Sequence, residues 1–172
     1  EAVAREAGRF SFPLIVDPVM ISKHGARLID QAAIRTLIEE LIPRTFLLTP
    51  NLDEAAALTG LVVEDRDGMA RAAQKLASFG AANVLVKGGH LSSDALDLLC
   101  LSGGEIHEFT APRIATRHTH GSGCTYSAAI TAELAKGTPL VDAVARAKAF
   151  ITEAIRTAPG LGAGNGPLNH HA

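Results

Sequence analysis

Residues 83–89 read NVLVKGG, an apolar β-branched run closed by a lysine and two glycines. A strand with no polar alternation has no face to offer water, so this one is expected to be buried on both sides. Two similar runs lie upstream, FPLIVDPV (12–19) and TFLLTPN (45–51). Helical patterns separate them. DQAAIRTLIEELIP (30–43) carries Ala33, Leu37 and Leu41 on one stripe and is closed by Pro43. LDEAAALTG (52–60) is a short helix ended by Gly60, and DGMARAAQKLASFGA (67–81) has Gly80 placed like a C-cap. Short strands alternating with helices predict an α/β fold, with a mostly parallel sheet covered on both faces. Residues 1–8 suit a helix end stopped by Gly8, which leads straight into the first strand; with no initiator Met, the expectation is a portion of a longer protein.

Beyond residue 89 the pattern changes. ALDLLCL (95–101) and EIHEFTA (105–111) flank the turn SGG, as an antiparallel hairpin at a sheet edge does. Two helices follow, 123–136 and about 140–157. The second sets Leu140, Val144, Ala147, Ile151, Ala154 and Ala158 on one buried stripe. The tail from Ala158 is a Gly/Pro-rich loop.

Composition narrows the function classes. The 172 residues are 47% hydrophobic, enough for one sizeable core and a single domain. With 16 basic against 18 acidic residues, net charge -2 and no like-charge block, neither nucleic acid nor a membrane is the expected partner. Two cysteines make no disulfide framework and fit a reducing compartment. No apolar run reaches the roughly 18 residues of a membrane span, so a soluble cytoplasmic protein is expected.

Polar residues fall at strand ends. The three apolar runs end in Asp17, Asn51 and Lys87. The carboxyl ends of parallel strands line one edge of an open sheet, where ligands bind, so acid, amide and ammonium are expected to converge there. One polar strand end is more often structural than functional; three at equivalent places point to a site. A second signal is RHTHGSGCTYSAAITAEL (117–134), in which a glycine turn delivers a cysteine to the first turn of an alanine-rich helix. Backbone N–H groups around 121–124 and the helix dipole favour an anion. Lys87 would add a point charge, and its glycines let a phosphate chain approach. Asp17 and Glu54 are hard oxygen donors suited to Mg²⁺. The spacing of Asn51 and Glu54 equally fits a helix-start cap. A thiol in a helix's first turn has its thiolate stabilised, from an ordinary pKa of about 8.5, and suits Cys124 to accept a hydroxyl proton. Cys100, inside an apolar strand, reads as a small buried hydrophobe.

DPVMISKHGARLID (17–30), LLTPNLDEAAALTG (47–60), VLVKGGHLSSDALDLL (84–99), THGSGCTYSAAITAELAKG (119–137) and the tail APGLGAGNGPLNH (158–170) together resemble the hydroxymethylpyrimidine/phosphomethylpyrimidine kinases of thiamin biosynthesis, members of the ribokinase superfamily. The resemblance runs from about residue 12 to 171. It implies a three-layer α/β/α sandwich with an antiparallel edge hairpin, one ribokinase-like kinase domain over 1–172 lacking its N-terminal portion. It implies ATP- and Mg²⁺-dependent phosphorylation of 4-amino-5-hydroxymethyl-2-methylpyrimidine, then of its monophosphate.

Carried onto this sequence, Gly121, Ser122 and Gly123 are the anion hole and Cys124 the catalytic base, next to the substrate. Most ribokinase relatives carry Asp there, so the cysteine narrows the resemblance to pyrimidine kinases and their cysteine-bearing pyridoxal-kinase cousins. Asn51, Lys87, Thr116 and Thr119 fall on the nucleotide side, Val19 near the pyrimidine, and Asp17 and Glu54 near the metal. The resemblance also implies a homodimer. Family members carry an N-terminal Gly-rich stretch and a Gln that hold the pyrimidine, and Asn165 stands where their tail has His. Two other readings stay open: a pyridoxal kinase, and a module that binds nucleotide or pyrimidine without turnover.

Overall fold

A computed structural model describes residues 1–20, 28–89 and 94–172. Parts of two motifs quoted above, at 21–27 and 90–93, lie outside the described residues. The chain gathers into two compact units. The first runs from Glu1 and includes Leu96–Glu108; the second comprises Ala95 and Phe109–Ala172.

A five-stranded sheet orders its strands as they occur in the chain: β1 (Ile15–Val16), β2 (Leu47–Leu48), β3 (Asn83–Gly88), β4 (Ala95–Cys100) and β5 (Ile106–Ala111). β1, β2 and β3 are parallel, in register Ile15↔Leu47 and Leu47↔Asn83. β4 runs antiparallel to β3, with Lys87 opposite Asp97, and the β4–β5 hairpin forms the expected edge. β1 and β2 are far shorter than their apolar runs suggest. Pro13 and Pro18 flank β1 and Pro50 follows β2, and a proline has no N–H to give a ladder.

All six residues of β3 are buried. Val84 and Val86 join Leu48 and Leu98 in one apolar cluster, while Leu47, Leu85 and Leu99 are fully buried outside it. Burial on both faces is what the unalternated run predicts. Against the first face pack α3 (Leu52–Thr59) and α4 (Arg66–Ser78), which contribute Leu58, Met69, Ala72 and Leu76. A fully buried side chain such as Leu76 is worth about 1.5–3 kcal/mol over its exposed state.

The pattern of 30–43 differs from a plain helix. Asp30 caps α2 (Gln31–Thr36) by accepting from Ala33 N at 2.8 Å. The chain then widens into a π turn at Leu37–Leu41 and tightens into a 3₁₀ turn at Ile42–Arg44. Leu37 faces the core as expected, but Ala33 is exposed, and Ile34, Ile38 and Ile42 also turn to the core. Pro43 sits inside the 3₁₀ turn, where its missing N–H costs little.

In the second unit α5 (Ser122–Ala135) packs on α6 (Leu140–Arg156). On α6 the expected stripe holds through Val144, Ala147, Ile151 and Ala154, with Leu140 and Ala158 only half-buried at its ends. Lys148 is also buried and donates to Ala95 O at 2.8 Å, so its ammonium is not left unpaired.

Candidate functional site

The carboxyl edge of the parallel strands belongs to the first unit. Asp17 follows β1 directly, Asn51 follows β2, and Lys87 lies at the end of β3, where it pairs with Asn51 as an isolated parallel bridge. The three strand-end residues do converge. The Lys87 ammonium donates to Asp17 Oδ1 at 2.7 Å, with both side chains largely buried. Thr49, unremarked in the sequence, donates to the same oxygen at 3.3 Å. So the acid assigned to metal and the ammonium assigned to phosphate hold each other.

Asn51 and Glu54 form a reciprocal capping box at the start of α3. Asn51 Oδ1 accepts from Glu54 N, and Glu54 Oε2 accepts from Asn51 N, each at 2.8 Å. The cap reading is therefore correct, and it does not compete with a role at the edge. Glu54 is buried, and its carboxyl is pushed above the ordinary range chiefly by desolvation. The Asn51 N–H and the Lys87 charge oppose that shift, while Asp17 adds to it. Glu54 thus lies within electrostatic reach of the Asp17–Lys87 pair.

Two further residues shape this edge. Asp97, a lone acid within an apolar strand, is buried and accepts from Gly88 N at 3.0 Å. A Cβ at Gly88 would run into Leu96 O and Met69, so only glycine fits. The sequence signal for Asp97 was its interruption of ALDLLCL. Val19 is exposed just past β1, held by a turn from its N–H to Asp17 O.

Asp17 and Glu54 supply two hard carboxylates in one electrostatic neighbourhood. Among the described residues no group of three or more His, Cys, Asp and Glu side chains could hold a metal ion. That donor set fits Mg²⁺, which keeps several waters and takes one or two carboxylates plus substrate phosphates, rather than a cation needing a full protein cage.

The second cluster belongs to the second unit. Gly121 adopts φ 79°, the left-handed conformation open to glycine, and α5 starts at the next residue. Its N-cap, Gly121, has no side chain with which to cap the helix. Ser122 and Gly123 are its first two residues, and Cys124, also in the first turn, is exposed. First-turn N–H groups and the helix dipole together favour an anion at a helix start. The preceding turns come from the two threonines: Thr116 Oγ1 accepts from His118 N, and Thr119 O accepts from Ser122 N at 3.3 Å. Cys100 behaves differently from Cys124, being buried on β4 with its thiol pushed up by desolvation.

Residues 1–169 match the family model for phosphomethylpyrimidine kinase. A hydroxymethylpyrimidine/phosphomethylpyrimidine kinase from Bacillus subtilis is 45% identical over 100% of this chain and 64% of its own. A thiamine biosynthesis bifunctional protein from Geobacter sulfurreducens is 51% identical over 91% of this chain and 32% of its own. The chain thus spans less than two thirds of the curated relatives it matches. Among solved structures, a pyridoxal kinase from Staphylococcus aureus in complex with AMP-PCP superposes with TM-score 0.89 at 31% identity, over 99% of this chain and 63% of its own. A phosphomethylpyrimidine kinase from Clostridium difficile gives 0.75 at 36% identity, over 89% and 62%. The fold is therefore ribokinase-like α/β, and the sequence that first pointed to it places this chain in the phosphomethylpyrimidine kinase family.

Proposed function

We propose that the protein containing this chain phosphorylates 4-amino-5-hydroxymethyl-2-methylpyrimidine and then its monophosphate with ATP, in thiamin biosynthesis. The observation that carries this reading is the start of α5, where a glycine-initiated helix bears an exposed thiol in its first turn. The family match supports it across residues 1–169, and with it one kinase domain over 1–172.

In this reading the substrate hydroxyl oxygen attacks the γ-phosphorus of ATP and the bond to the β-phosphate oxygen breaks, releasing ADP. Cys124 takes the hydroxyl proton. The N–H groups of Gly121, Ser122 and Gly123 stabilise charge on the transferred phosphoryl oxygens, the largest contribution expected in such a transfer. Lys87 bears on the ATP phosphates, with Asn51, Thr116 and Thr119 on the nucleotide side and Val19 beside the pyrimidine. Asp17 and Glu54 would hold Mg²⁺, which neutralises charge on the phosphate oxygens. A cytoplasmic homodimer accompanies this reading by family likeness.

An ATPase-coupled assay of the whole encoded protein tests it, with hydroxymethylpyrimidine, its monophosphate and pyridoxal side by side. The expected result is kcat/KM higher for the pyrimidines by on the order of tenfold or more. The reverse order favours a pyridoxal kinase, the second reading, which the likeness to solved pyridoxal kinases supports. ATP binding with no turnover on any of the three favours a binding module.

A further inference from the structure

The start of α5 is held in place although its N-cap, Gly121, offers no side chain to cap it. Its donors must stay available to an anion, so the restraint has to come from elsewhere. Gly121 gives none, since beyond its own chain neighbours nothing lies within 4 Å of where its Cβ would be. The restraint comes from the far end of the chain. His118 Nδ1 accepts from Gly166 N at 3.1 Å, across 48 positions of sequence. Gly166 O accepts in return from His120 N at 3.4 Å, and His120 pairs with Pro167 as an isolated bridge. The acceptor role assigns a neutral ring to His118, with its proton on Nε2.

The clasp admits no other residue at 166, because a Cβ there would run into His118 Nδ1 and Leu161 O. Past the clasp the tail is anchored on α6. Leu168 is buried, Asn169 N donates to Ala154 O at 3.0 Å, and Asn169 Nδ2 donates to Thr157 Oγ1 at 3.0 Å. The tail therefore ties α6 to the turn that opens α5, and His118 is the knot.

We infer that His118 is a positioning residue for phosphoryl transfer: by strapping the Gly-rich tail to the turn before Gly121, it fixes Gly121–Cys124 in the geometry that the reaction uses. This inference rests on the reading given under Proposed function.

Three variants of the whole encoded protein test it, His118→Leu, Gly166→Ala and His118→Asn. An asparagine places Oδ1 the same number of bonds from Cα as histidine Nδ1 and accepts from the same N–H. Amide hydrogen exchange is followed over 118–124 and 160–167, with kcat and KM in parallel. His118→Leu and Gly166→Ala are expected to speed exchange in both segments. They should lower kcat by about ten- to a hundredfold, the scale of a misplaced reacting group. KM for the pyrimidine should change by no more than about twofold, since the loss falls on the transition state. His118→Asn should restore both readouts. Unchanged exchange in all three variants, or faster exchange with native kcat, overturns the inference. Should the native protein turn over neither pyrimidine, the functional reading falls and the exchange data alone judge the strap.

Discussion

The Lys87 ammonium reaches across β2 to Asp17, 2.7 Å away and 70 positions earlier in the chain. The side chains are only 11% and 16% exposed, so neither charge has bulk water as a ready substitute partner. Removing one leaves the other buried and unmatched. Lys87→Met and Asp17→Asn are each expected to cost roughly 3 kcal/mol. The double variant should cost clearly less than the sum of the two, because the stranded charge is then gone. Denaturant unfolding of the four proteins measures the coupling, and additive losses would contradict it.

Glu54 gives this edge a pH dependence. Desolvation raises its folded pKa above the ordinary value of 4.5. Between the two values the folded protein keeps a proton that the unfolded chain has released. The stability contribution of Glu54 is therefore complete below 4.5 and falls as pH rises through the raised folded value. Glu54→Gln retains an acceptor for Asn51 N and removes the titration. Without Mg²⁺, its stability relative to the native protein should rise with pH across that window and stay level above it. Denaturation midpoints between about pH 4 and 8 read this difference. A difference that does not change with pH would exclude the assignment.

Much of this was legible in the sequence, for physical reasons. Strand burial shows as unalternated apolar runs, so the β1–β2–β3 parallel half and the β4–β5 edge were readable from hydropathy alone. The caps at Asn51 and Gly60 were readable because short polar or glycine side chains satisfy helix ends locally. The stripe on 30–43 was legible only in part: Leu37 faces the core as read, while Ala33 is exposed and Ile34, Ile38 and Ile42 turn inward, a choice of face set by packing rather than by spacing. At the site, Asp17, Asn51 and Lys87 declared themselves by strand-end position. Their pairing did not, since the bond from Lys87 to Asp17 depends on which strands neighbour each other. The His118–Gly166 clasp was equally hidden, being a tertiary bond between two loops.

Gly88 and Asp97 form a lock behind Lys87. Gly88→Ala would drive its methyl into a main-chain carbonyl, which cannot swing aside as a side-chain tip can. The expected loss is at least about 1–3 kcal/mol, as for overpacking elsewhere. Asp97→Ala should cost a similar amount, because it takes away the carboxylate that accepts from the buried Gly88 N–H. Asp97→Asn, which keeps an acceptor, should cost less than Asp97→Ala. Thermal unfolding orders the three, and equal losses for Asn and Ala would show that the Gly88 bond is not what Asp97 supplies.

The sharpest test concerns Cys124, whose thiol stands exposed in the first turn of α5. Because the side chain is exposed, substitution should leave unfolding midpoints nearly unchanged, and unfolding measured in parallel separates a loss of rate from a loss of fold. If it takes the hydroxyl proton, Cys124→Ser and Cys124→Ala should each lower kcat by about 10²–10⁴-fold, the usual contribution of a positioned base. ATP binding should be nearly unaffected, because the backbone N–H groups of the helix start do not depend on the side chain. Cys124→Asp should recover part of the rate, since a carboxylate accepts a proton at neutral pH where a hydroxyl does not. Steady-state kinetics with nucleotide titration separate these effects in the whole encoded protein. Native kcat in Cys124→Ala would remove the base from the mechanism. The rate would then have to come from charge stabilisation by the anion site and metal, a share that is large in phosphoryl transfer in any case.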